Sequence, residues 1–174
     1  MPPDLILAPV PTSVAGAFDA DTIRVVLADD HTAMRRNLKR LLDAEDGVTV
    51  VAEAVDLETA ARRAHSHLPD VLILDLHLPA GSAVGLVAEL RDSLPATQVV
   101  VLTMENSPAF VKRALDAGAV GYVLKEHADR DLVPAVRAAL GGESYVTPEV
   151  AEGLEARRTP DSSSASARRW SVTL

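Results

Sequence analysis

Residues 71–79 read VLILDLHLP: four aliphatic residues, then Asp75, then a proline four positions further on. An apolar run of this length with no polar alternation is the pattern of a strand covered on both faces, as in a parallel sheet flanked by helices. Ending it on a carboxylate puts a charge at the point where such a strand leaves the core. The same arrangement recurs on either side. IRVVLADD (23–30), VTVVAEA (48–54), QVVVLT (98–103) and VGYVLK (120–125) bring the candidate strands to five.

The intervening segments carry helical periods. Met34, Leu38, Leu41 and Leu42 share one face, as do Leu57, Ala60, Ala61, Ala64 and Leu68. Ala83, Val87, Leu90 and Leu94 repeat the spacing, followed by Phe110, Val111, Ala114 and Leu115, then Leu132, Val133, Val136 and Leu140. The alternation gives an α/β fold of (βα)5 type, a doubly wound parallel five-stranded sheet. Residues 1–21, with prolines at positions 2, 3 and 9, read as a flexible N-terminal extension; 22–150 form the domain, and 151–174 a Ser-rich linker or tail.

In such a sheet ligands bind beyond the carboxyl ends of the strands. Those ends are polar here: Asp29 and Asp30 close the first strand, Asp75 the third, Thr103 the fourth and Lys125 the fifth. They converge if the strand order is 2-1-3-4-5. Carboxylates brought together repel unless a cation compensates them, and all-oxygen ligation favours Mg2+, which readily bridges carboxylates and a phosphoryl group. A carboxylate can accept that phosphoryl while a lysine and a hydroxyl bond its outer oxygens.

The pieces ADDH, LDLHLP, VLTM and GYVLKE, in this order, resemble a two-component response-regulator receiver domain of the NarL/FixJ type over residues 22–150. The resemblance implies a flavodoxin-like receiver fold with Asp75 as phosphoacceptor. It implies that Asp29, Asp30, Asp75 and the His77 backbone carbonyl hold Mg2+, and that Thr103 and Lys125 bind the phosphoryl. Thr103 and Tyr122 would form the switch, Tyr122 turning inward, and the His77 and Glu105 side chains would tune the phosphoryl's lifetime. The implied partners are a sensor histidine kinase and a second copy through the first and last helices. DNA would be reached only through a C-terminal helix-turn-helix domain that this chain does not include. The family often has Gly where Ala83 stands.

Composition agrees. Lys and Arg number 17 against 25 Asp and Glu, a net charge of −8, which disfavours a broad nucleic-acid surface on the domain itself. There is no cysteine, so disulfides and thiolate sites are excluded, and no stretch is long and apolar enough to span a membrane. A cytoplasmic protein is expected. His65 and His67, two apart on a helix, point to different sides and read as exposed polar residues. Arg157, Arg158, Arg168, Arg169 and Trp170 read as a solvated tail. Two alternatives remain at this level. A phosphatase of the haloacid-dehalogenase type also uses an Asp nucleophile, but wants D-x-D where this chain has DDHT. A degenerate pseudo-receiver would keep these residues and serve as a phosphorylation-independent dimerisation or docking module.

Pro134 sets a local expectation. Proline is tolerated among the first residues of a helix, so Asp131 is predicted as the N-cap of a last helix that runs to about Leu140 before Gly141 and Gly142.

Overall fold

The computed structural model describes residues 22–155. The order is β1 (Ile23–Ala28), α1 (Thr32–Asp43), β2 (Val48–Ala54), α2 (Leu57–His67), β3 (Val71–Asp75), α3 (Ala83–Ser93), β4 (Gln98–Thr103), α4 (Pro108–Ala117) and β5 (Gly121–Leu124). A 3-10 turn, Lys125–His127, leads into α5 (Ala128–Leu140), β6 (Tyr145–Val146) and α6 (Pro148–Glu155). The strands are parallel in the order β2-β1-β3-β4-β5-β6, so the predicted 2-1-3-4-5 core is present with one strand added at its edge.

Strand alternation divides the core into two layers. Val26, Leu72, Leu74, Val99, Val101 and Leu124 face α2, α3 and α4, where Ala60, Ala64, Val87, Leu90, Val111 and Ala114 meet them. Val25, Leu27, Ile73, Val100, Leu102 and Val123 face α1 and α5, meeting Leu38, Leu42, Leu132 and Val136. Every residue of β3 is buried. This is why VLILD reads as continuous apolar sequence: both of its faces are covered.

Local chemistry starts and stops the helices. Asp56 caps α2 by accepting from the Thr59 amide at 2.7 Å, and Ser82 caps α3 through the Gly85 amide at 3.1 Å. The Asp56 carboxyl is held below its ordinary value chiefly by that backbone bond. Pro108 opens α4, where its missing N–H costs no helical bond. Gly118 ends α4 at φ 122°, and a Cβ there would meet Arg91 Cδ at 2.8 Å.

The last helix departs from its expected start. It begins at Ala128, directly after the 3-10 turn, with Pro134 inside it, and Asp131 is not its cap. Both Arg130 and Pro134 are exposed, so the carbonyl that the proline leaves without a helical partner lies on the solvent side, where water can bond to it. Asp131 is turned inward instead. It is 2% exposed, accepts from Arg130 Nε at 2.7 Å and Nη2 at 3.2 Å, and is approached by the side chains of Tyr145 and Thr147.

These contacts hold β6 in place. The Tyr145 amide donates to the Val120 carbonyl at 3.0 Å, and the buried Thr147 hydroxyl accepts from the Leu124 amide at 3.1 Å. Burial pushes the Tyr145 hydroxyl up to about 12, with Asp131 adding to it. Burial also works against the Asp131 charge, but the bonds from Arg130, Tyr145 and Thr147 outweigh it and hold that carboxyl below its usual value. A depressed native value contributes stability that is present above the unfolded carboxyl value of about 3.9 and is lost as the pH falls through the lower native one. Asp131→Asn should therefore cost about 2 kcal/mol near neutral pH, with the gap from the unaltered chain narrowing below about pH 4. Urea unfolding across that range measures it, and a gap that does not change with pH rejects the assignment.

The expected N-terminal extension and the tail's Arg pairs and Trp170 lie outside the described residues; α6 itself runs past residue 150. Among the described residues no helix is long and apolar enough to cross a membrane.

Candidate functional site

At the carboxyl ends of β1, β3 and β5 the chain changes from apolar to ionic within one residue. Asp29 is fully buried, Asp75 is 1% exposed and Lys125 is 8% exposed. The Lys125 ammonium lies 2.7 Å from Asp75 Oδ2 and 2.6 Å from Asp29 Oδ2. Its bond to Asp75 is well directed, whereas the approach to Asp29 is an ion-pair contact outside hydrogen-bond geometry. Burial works against the ammonium charge, yet the two carboxylates prevail and raise its pKa above the ordinary lysine value. Lys125 thus remains charged at neutral pH.

Backbone amides fix the other carboxylate oxygens. The His31 amide donates to Asp29 Oδ1 at 2.7 Å, and the His77 amide to Asp75 Oδ1 at 3.0 Å. Asp30 is more open, 38% exposed at its side chain, with His31 Nδ1 2.8 Å from its Oδ1. Ligand atoms of Asp29, Asp30, His31 and Asp75 all lie within 4.8 Å of one another. Asp29 Oδ2 is buried and accepts no hydrogen bond from the described residues. A compact oxygen-rich set, gathered around buried Asp29 and Asp75, fits a small divalent cation that prefers oxygen, as Mg2+ does.

Thr103 ends β4 with its hydroxyl buried. That hydroxyl accepts from the Glu105 amide at 3.2 Å and lies 3.3 Å from His77 Nδ1. The Glu105 carboxylate turns back into its own loop, accepting from the Ser107 amide at 2.9 Å. Tyr122 on β5 is fully buried, and its hydroxyl donates to the Glu105 carbonyl at 2.7 Å. Burial first, and then the Glu105 charge, push that hydroxyl well above the ordinary tyrosine range, so it stays a donor. The ring lies inside in this structure. A cleft of about 410 Å³ opens beside Lys125, between Met34 and Asn37 of α1 and Met104 after β4.

Every residue singled out at the strand ends is brought to this one edge. Residues 25–137 match the family model of the response regulator receiver domain. The chain belongs to that family. Its relatives place this receiver in the NarL type. It is 37% identical over 134 residues to the oxygen regulatory protein NreC of Staphylococcus epidermidis, covering 76% of this chain and 61% of that protein. The chain therefore spans about three fifths of the length of the curated relatives it matches. Among solved structures, a LuxR-family two-component response regulator from Aurantimonas superposes with a TM-score of 0.75 at 34% identity, covering 79% of this chain and 98% of that one. The isolated receiver domain of RcsB from Salmonella enterica serovar Typhimurium, solved with the phosphomimetic BeF3-, gives 0.71 at 30% identity over 76% and 99% of the two chains.

His31 flanks the acidic pair in sequence, and its ring joins the acidic group in the fold. One feature of this receiver escapes a reading of sequence alone. Arg35 is not singled out by the helical pattern, yet its Nη1 donates to the Asp29 carbonyl at 2.8 Å and its Nε to Glu53 at 2.9 Å. The position of Arg35 one turn after the DDHT loop is the signal that would have found it, since that turn points a long side chain back over the loop.

Proposed function

We propose that this chain is the phosphorylation-controlled receiver of a two-component response regulator, taking phosphoryl from a sensor histidine kinase onto Asp75. The carrying observation is Asp75 itself: buried at the end of β3, its Oδ1 held by the His77 amide, its Oδ2 on the Lys125 ammonium. A carboxylate oxygen of Asp75 attacks the phosphorus of a phosphohistidine in line. The P–N bond breaks, the imidazole leaves with a proton, and an acyl phosphate forms. Lys125 then pairs with a phosphoryl oxygen, and the Thr103 hydroxyl leaves His77 to bond another. Asp29, Asp30, Asp75 and the His77 carbonyl would hold Mg2+, which when bound neutralises the crowded negative charge.

The His77 ring and the Glu105 side chain border the approach and would set how long the phosphoryl survives. The domain binds and holds a phosphoryl group rather than turning over a substrate. The relatives extend beyond the stretch this chain matches; on our reading such a further portion binds DNA and regulates transcription, in a cytoplasmic protein that pairs with a second copy. Leu140 and Val133 are the apolar residues α5 offers to that contact, because Arg137 is engaged within the chain with Glu45 Oε2 at 3.4 Å and the Asp46 carbonyl at 3.2 Å.

Incubation with a small acyl phosphate and Mg2+ should add one phosphoryl group by intact mass, and removing the cation with a chelator should prevent it. A chain that never labels would be a docking module instead.

A further inference from the structure

Tyr122 is bonded at both ends. Its hydroxyl donates to the Glu105 carbonyl at 2.7 Å, and its own carbonyl accepts from the Thr147 amide at 2.9 Å. One residue therefore joins the loop after Thr103 to the segment after β6. A second tie runs from the turn that holds Lys125, where His127 Nε2 lies 2.5 Å from Glu149 Oε2 in the first turn of α6. A third is apolar: Val150, 3% exposed, and Leu154 pack into the cluster that contains Val111 and Ala114 of α4 and the Tyr122 ring. At Gly153 a Cβ would stand 3.9 Å from Pro108 Cγ, so α6 lies close against the start of α4.

We propose that β6 and α6 are the first reader of the switch: an intramolecular clasp on the α4–β5 face that loosens when Asp75 carries a phosphoryl group. This rests on the phosphoacceptor reading of Asp75. The Thr103 hydroxyl holds the Glu105 amide, and a phosphoryl on Asp75 offers it stronger, charged acceptors. When the Thr103 side chain rotates to donate its O–H to them, its oxygen moves away from the Glu105 amide it accepts from. The loop carrying the Glu105 carbonyl moves, and Tyr122 and Pro108, on which the clasp depends, move with it. The released element is α6 because it is the shortest of the α-helices, eight residues with Val150 as its one buried side chain, at the low end of local stability. The signal so reaches whatever follows Glu155 through a contact already made in the receiver.

Amide exchange on the full chain tests it, with and without beryllofluoride and Mg2+. Residues 148–155 should exchange about tenfold faster with beryllofluoride, alongside a change in 104–117. Val150→Ala should speed exchange of 148–155 without beryllofluoride and blunt the further response, while fluorine NMR still shows beryllofluoride bound. If 104–117 respond and 148–155 do not, or slow down, the clasp is overturned and the Asp75 reading stands. If no beryllofluoride binds, the Asp75 reading falls and the clasp with it.

Discussion

Asp75→Asn should abolish phosphoryl incorporation while leaving the fold intact. The amide is close in size to the carboxylate, so β3 keeps its packing, and its oxygen still accepts from the His77 amide. What is lost is the nucleophile, because a neutral amide oxygen does not attack phosphorus as a carboxylate does. Lys125 retains Asp29 as a counter-ion. The unaltered chain should gain one base-labile phosphoryl group by mass, and the variant should show none above background with an unchanged circular dichroism spectrum. Equal labelling of both chains would move the acceptor elsewhere.

The fold was legible because its strands are buried on both faces, which turns parallel-sheet geometry into uninterrupted runs such as VLILD and QVVVLT. The strand-end rule then picked out Asp29, Asp75, Thr103 and Lys125 as neighbours without any view of their distances. What escaped depends on contacts that periodicity does not encode. Tyr145 and Val146 are too few to show an alternation, and they pair with β5 because Asp131 on α5 and the adjoining Thr147, bonded to Leu124, anchor them. Pro134 misled because its cost depends on whether the freed carbonyl is buried, and Arg130 and Pro134 are both exposed. The His77 ring was read as a border of the site, and nothing in LDLHLP says that it reaches the Thr103 hydroxyl across β3 and β4. The acceptor of the buried Tyr122 hydroxyl, the Glu105 carbonyl 17 residues away in sequence, is likewise not written in VGYVLK.

The relation between Lys125 and its two carboxylates carries the second large effect. Lys125→Met should fold, since the thioether chain is apolar and of similar length, but it should be less stable by about 3–5 kcal/mol in metal-free buffer. The ammonium holds together Asp29, fully buried, and Asp75, 1% exposed. Removing it leaves two buried like charges with no compensating cation, which costs more than the ion pair itself contributes. Domains of this size are stable by only about 5–15 kcal/mol, so the melting midpoint should fall by many degrees. Mg2+ should restore stability to the variant more than it adds to the unaltered chain, because in the variant no ammonium competes for the same oxygens. At a hundred times its dissociation constant the ion contributes about 2.7 kcal/mol by mass action alone. Calorimetry of both chains with and without Mg2+ decides the matter. A variant as stable as its parent in metal-free buffer would mean that the carboxylates do not depend on Lys125, and a smaller response to Mg2+ would mean that the cation does not bind between them.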